Sequence, residues 1–94
     1  MLLIVGTVSL PAENLVHARP AMRAMVDASR AEAGCIQYDL HVDGSDTDLL
    51  YMIEQWRGEA ALAEHEASEH FQAFVKASAP YLAELDIRLM NRIG

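Results

Sequence analysis

The sequence predicts an α+β fold, a four-stranded antiparallel sheet with helices on one face, in the split βαβ order of ferredoxin-like domains. Three observations carry this. Two stretches alternate apolar and polar residues with a turn between them, a near-continuous β-prone run opens the chain, and two regions with helical spacing separate the strands. The order is strand, helix, strand, strand, helix pair, strand. With only 94 residues the chain makes one domain, residues 1–94.

Leu2 to Val8 is apolar almost without interruption, the pattern of a strand covered on both faces and so central in its sheet. Pro11 ends it. From about Glu13 to Ala33, Leu15, Ala18, Met22, Met25, Val26, Ser29 and Ala33 recur at helical spacing and predict one buried face. Pro20 inside that run lacks the N–H of the helical ladder and predicts a kink or restart, and Gly34 supplies the stop.

Cys35 to Val42 sets Ile36, Tyr38, Leu40 and Val42 on one face and Cys35, Gln37, Asp39 and His41 on the other. Asp43-Gly44-Ser45-Asp46 is a turn by composition, and Leu49 to Arg57 returns as the second arm of a hairpin. With Tyr38 opposite Met52, the face toward the helices holds Ile36, Tyr38, Leu40, Leu50, Met52, Glu54 and Trp56. Glu59 to Glu66 forms a short helix. Ser68 caps another that carries Phe71, Phe74, Val75, Ser78 and Leu82 on one stripe, with Pro80 near its last turns. Leu85, Ile87, Leu89 and Ile93 alternate with polar neighbours as the last strand.

The sheet face away from the helices has no cover within the chain. It exposes Tyr51 and Ile53 beside Gln37, Asp39, His41 and Gln55, which predicts a homodimer joined face to face.

Composition excludes several functions. Hydrophobic residues at 52% against charged ones at 22% predict a folded chain. A net charge of -7 without a basic cluster disfavours nucleic acid and anionic membranes as partners. No apolar run approaches the ~20 residues of a membrane span. One cysteine, Cys35, excludes an internal disulfide and suits a reducing cytoplasm; its simplest role is that of a small buried hydrophobe. The apolar start lacks the positive residues of an export signal, so a soluble, cytoplasmic protein is expected.

The short helix places Ala61, Leu62 and His65 on one stripe, so His65 faces inward across Trp56. A pocket lined by Trp56, Met52, Tyr38, His65 and Phe71 is expected there, with Leu62 and Glu54 beside it. Trp56 fills a core position whatever else it does. His65 either caps a carbonyl or serves as proton acceptor, since imidazole alone titrates near neutrality. His70, in the next helix's first turn, is expected to be partly exposed. Glu54 is expected to pair with an arginine such as Arg57 or Arg88, with a buried base as the alternative. His17 and His41 belong to solvent or a dimer face. His65 and His70 are five apart across a helix break, unlike the four-residue spacing of helical zinc motifs, so no metal is expected. Without a phosphate loop or nucleophile elbow, nucleotide cofactors and triad hydrolysis find no support.

The stretch Ser29-Arg30-Ala31-Glu32-Ala33-Gly34-Cys35-Ile36-Gln37-Tyr38-Asp39-Leu40-His41, with Glu54-Gln55-Trp56, His65 and Ser68-Glu69-His70-Phe71, resembles the antibiotic biosynthesis monooxygenase family, near its quinol monooxygenase branch. The resemblance covers essentially the whole chain. It implies a dimeric α/β barrel, cytosolic and free of flavin, metal or haem, that acts with molecular oxygen on a small aromatic or quinol-like substrate. It places Trp56 and His65 at the pocket. From its position in the chain His70 ranks second to His65 as a catalytic candidate, with Tyr38 or His70 as a second donor. Two departures stand out. Haem-degrading relatives carry an asparagine on the first strand where this chain has Val5-Gly6-Thr7, and polyketide-oxidising relatives carry polar groups where it has Met52 and Leu62. A small phenol or hydroquinone is therefore the expected substrate. The competing expectation is a non-catalytic dimeric barrel that binds a small apolar metabolite.

Overall fold

A computed structural model describes residues 1–81 and 84–94. Its elements run β1 (Leu2–Ser9), α1 (Ala12–Arg30), β2 (Cys35–Val42), β3 (Leu49–Trp56), α2 (Glu59–Ala67), α3 (Glu69–Ser78) and β4 (Glu84–Met90). The strands form one antiparallel sheet in the order β2-β3-β1-β4, so the opening run is central as its apolar sequence requires. This is the predicted ferredoxin-like arrangement. No helix among the described residues is long and apolar enough to cross a membrane.

The core lies between the sheet and the helices. Val8 and Leu10 from β1 and its end, Met22 and Met25 from α1, Tyr38, Met52 and Trp56 from the hairpin and Phe74 from α3 pack together. Strand alternation shows in β1 and β3, which bury every second residue. The start of α1 is held from outside the helix: Asp48 Oδ1 accepts from Ala12 N at 2.7 Å, because Pro11 at the N-cap offers no side-chain acceptor.

Several expectations are corrected. α1 runs through Pro20 without a restart, since at that point its exposed side faces solvent, and it stops at Arg30, short of Ala33. Residues 31–34 form a turn in which Cys35 N donates to Glu32 O at 3.0 Å. Tyr38 pairs with Glu54, and Leu40, not Tyr38, faces Met52. A bulge between Cys35 and Gln37 absorbs the difference, pairing Cys35 with Trp56 and turning Ile36 outward to 48% exposure. The other hairpin residues keep their expected face because a two-residue slip preserves the alternation.

β4 ends at Met90, before Ile93, and all seven of its residues are exposed. As an edge strand it pairs only with β1. Val75 is exposed rather than buried in the α3 stripe, and Pro80 lies beyond the end of that helix; the expectation for Leu82 falls outside the described residues.

Candidate functional site

Trp56 closes β3 and is fully buried, and Gly58 turns the chain so that α2 lies back across it. His65 is the buried residue of α2. Its ring centroid sits 4.4 Å from that of Trp56, 5.3 Å from Tyr38 and 4.9 Å from Phe71. The helix then breaks at Ser68, whose hydroxyl donates to His65 O at 2.6 Å and accepts from Phe71 N at 3.3 Å, capping α3. That break brings His70 back toward His65, with ring centroids 5.9 Å apart.

Glu32, on the turn after α1, joins the two imidazoles. Its Oε2 lies 2.8 Å from His65 Nδ1 and 2.8 Å from His70 Nε2. A carboxylate only accepts, so both facing nitrogens carry protons. The proton on Nδ1 leaves His65 Nε2 as the nitrogen with a free lone pair. That atom is buried and has no hydrogen-bond partner among the described residues. Most buried polar atoms are paired, so this orphaned imidazole nitrogen against an aromatic cluster is an exception that stands out in the core.

A second buried carboxyl lies on the same sheet face. Glu54 Oε1 accepts from Trp56 Nε1 at 2.9 Å. The expected arginine is absent: Arg57 donates to Ala33 O at 3.1 Å, and Arg88 pairs with Asp86 at 2.9 Å on the surface. Among the described residues Glu54 therefore has no ion-pair partner, and burial raises its pKa above the ordinary value, only partly opposed by the indole N–H and His65. Burial likewise pushes up the phenol of Tyr38, with the charge of Glu54 adding to it, so Tyr38 stays protonated and donates to Met25 Sδ at 2.9 Å. Cys35 is also raised by burial, next by Glu32, which leaves it a packing thiol.

The structure thus brings together Trp56, His65, Tyr38 and Phe71, with His70 at the rim and Leu62 half-buried against the core. Met52 lies on the same face two positions before Glu54. His17 stacks on Tyr81 at 5.6 Å, and His41 is exposed on β2. Two surface cavities, of about 540 and 430 Å³, lie along α1 instead; Arg19 and Arg23 border both.

The profile of the antibiotic biosynthesis monooxygenase family matches residues 1–77. The chain belongs to that family. It is 39% identical over 66 residues to "Putative monooxygenase YcnE" of Bacillus subtilis, covering 69% of this chain and 70% of that protein. The crystal structure of PA3566 from Pseudomonas aeruginosa superposes with a TM-score of 0.86 at 44% identity, over 99% of this chain and 94% of the other. A structure described as an antibiotic biosynthesis monooxygenase superposes at 0.91 with 31% identity over the whole of both chains.

Within this monooxygenase domain the sequence pointed to Trp56, His65 and His70 but not to Glu32. A helix continued to Ala33 carries Glu32 on its polar side, whereas the stop at Arg30 frees it to turn inward. Glu32-Ala33-Gly34 did hold a signal. At Gly34 a Cβ would collide with the Cβ of Ala61, so the glycine marks where this turn passes directly under α2.

Proposed function

We propose that residues 1–94 act as one unit, a monooxygenase that oxidises a small phenol or hydroquinone with molecular oxygen and without flavin, haem or metal as cofactor. The observation that carries this reading is the buried, unpartnered Nε2 of His65, backed through Nδ1 by Glu32.

A carboxylate behind an imidazole fixes its tautomer and stabilises the imidazolium that forms when the far nitrogen takes a proton. His65 Nε2 then accepts the phenolic proton, and the resulting anion lies among Trp56, Tyr38 and Phe71, where little water competes. His70 holds the other side of Glu32. Met52, Leu62 and Glu54 bound the wall of the site, and burial raises the pKa of Glu54. Because Trp56 and His65 are closed to solvent, entry requires the rim residues Phe71 and His70 to move.

No outside reductant is needed. A hydroquinone and one O₂ give a hydroxyquinone and one water, with the ring supplying all the electrons. The half-buried apolar strip of Tyr51 and Ile53 on the open sheet face supports a homodimer, and the lone thiol suits a reducing cytoplasm.

Oxygen uptake measured with a panel of hydroquinones, using protein stripped of metal and flavin, tests the reading. Uptake that saturates with substrate and falls in His65→Ala supports it. Tight binding of apolar phenols without uptake favours the alternative, a binding protein that uses the same aromatic cluster.

A further inference from the structure

We propose that Glu32, His65 and His70 form a binding site for a divalent transition metal ion of the zinc type, and that its occupancy switches off the base. The second half rests on the assignment of His65 Nε2 above; the metal site does not.

The donor set is two imidazole nitrogens and one carboxylate oxygen, and the three atoms lie within 4.8 Å of one another. This combination suits zinc and its neighbours rather than magnesium or calcium, which prefer oxygen alone. Metal–ligand bonds of about 2.0–2.1 Å in a tetrahedron separate donor atoms by about 3.3 Å. Oε2 now sits 2.8 Å from each nitrogen, held there by two protons. A cation that replaces those protons needs only a modest outward shift of the carboxylate and a closer approach of the rings.

Access and charge also fit. His65 forms the floor at 2% side-chain exposure, while Glu32 and His70 open to solvent at 18% and 25%. Glu32 meets no lysine or arginine among the described residues, and the chain's charge of -7 draws cations. Ser68 Oγ, 3.1 Å from His70 Nε2, adds an oxygen beside the site. The helix break that made the five-residue spacing look unsuitable is what aims both rings at one carboxylate.

The consequence for the base is tautomeric. A neutral imidazole that binds metal through Nδ1 carries its proton on Nε2. His65 Nε2 then donates and no longer accepts, so it cannot take a proton from a phenol.

Titration calorimetry with zinc, together with the visible spectrum after cobalt(II) addition, provides the test on the full chain. The expected result is one ion per chain with a tetrahedral cobalt spectrum. His70→Ala and Glu32→Ala should each weaken zinc by about 100-fold or more, which exceeds the usual loss from disturbing an outer-shell partner. His41→Ala, on exposed β2, controls for adventitious imidazole binding and should leave the affinity unchanged. No zinc uptake, or uptake insensitive to both His70→Ala and Glu32→Ala in folded protein, overturns the site. Zinc that binds through the three residues yet leaves oxygen uptake unchanged overturns the switching role with the metal site intact; oxygen uptake of His65→Ala then tells the two readings apart, a fall keeping His65 as the base and wild-type uptake removing it.

Discussion

Glu32 Oε2 and His65 Nδ1 lie 2.8 Å apart across 33 positions of chain, and this contact sets which nitrogen of His65 faces the aromatic cluster. His65→Ala is expected to keep the fold while lowering hydroquinone turnover by about 10²-fold or more, the usual size of a general-base contribution. Glu32→Gln should lower it by about 10-fold to 100-fold, because the amide can present an N–H to Nδ1 and favour the wrong tautomer. Initial rates on an oxygen electrode, taken for all three proteins under the same conditions, decide this. Wild-type turnover in folded His65→Ala removes His65 from the chemistry.

The donors of this site were unequally legible in the sequence. Trp56 and His65 could be read because each sits on a regular element whose period assigns its face. Glu32 and the register of β2 could not, since both depend on where a helix stops and where a bulge falls. Those are set by packing, here by the close pass of Gly34 under Ala61. The missing arginine partner of Glu54 was hidden for a similar reason: Arg57 and Arg88 are near in sequence or plausible in register, but their side chains find Ala33 O and Asp86.

Trp56 and Glu54 share one hydrogen bond, and Trp56→Phe removes its donor while leaving a buried carboxyl oxygen short of a partner. A stability loss of about 1–3 kcal/mol is expected from urea unfolding. Because the ring also walls the proposed cavity, KM should change along with kcat.

Glu54 gives stability a definite pH dependence. Its folded pKa is raised mainly by burial, so between the ordinary carboxyl value and the raised one the folded state binds more protons than the unfolded state. Unfolding free energy from this group therefore falls as pH rises through that window, then levels off above the folded pKa. Glu54→Gln, which keeps an acceptor for the indole N–H, should flatten the fall. Glu32 and Glu66 raise the pKa of Glu54 further and His65 lowers it, so the comparison is made by urea unfolding of both proteins across the same pH series. An identical slope in Glu54→Gln would assign the pH dependence elsewhere.

Gly34→Ala should destabilise the fold by about 1–3 kcal/mol, the common cost of overpacking, because the new methyl meets the Cβ of Ala61. The backbone there has no positive φ, so the effect is one of space alone. Gly34→Ala combined with Ala61→Gly removes the collision and should recover part of the loss beyond the helix penalty of the second glycine, about 1 kcal/mol. Thermal unfolding of the two single variants and the double variant measures that coupling. Additive losses would mean that α2 does not bear on the turn.

The open face of the sheet leads to the last expectation, a homodimer that persists at micromolar concentration. Ile53 on β3 pairs across to Val5 on one side and Asp39 on the other, and with Tyr51 it forms an apolar strip that the helices, lying on the opposite face, do not reach. On β4 the helix-side residues Leu85, Ile87 and Leu89 are likewise exposed, at 44%, 48% and 56%. An edge strand with apolar side chains on display normally finds cover or carries charge to prevent pairing. Sedimentation velocity of the wild type should give the dimer mass. Ile53→Asp places a second carboxylate next to Asp39 at the centre of the strip; since the side chain is only half-buried in one chain, the fold should survive while the dimer dissociates. Ile87→Asp tests the edge strand separately, and a loss of association there with none in Ile53→Asp would move the interface from the sheet face to β4. A compact wild-type monomer at micromolar concentration would leave both surfaces without a partner copy and remove the dimer.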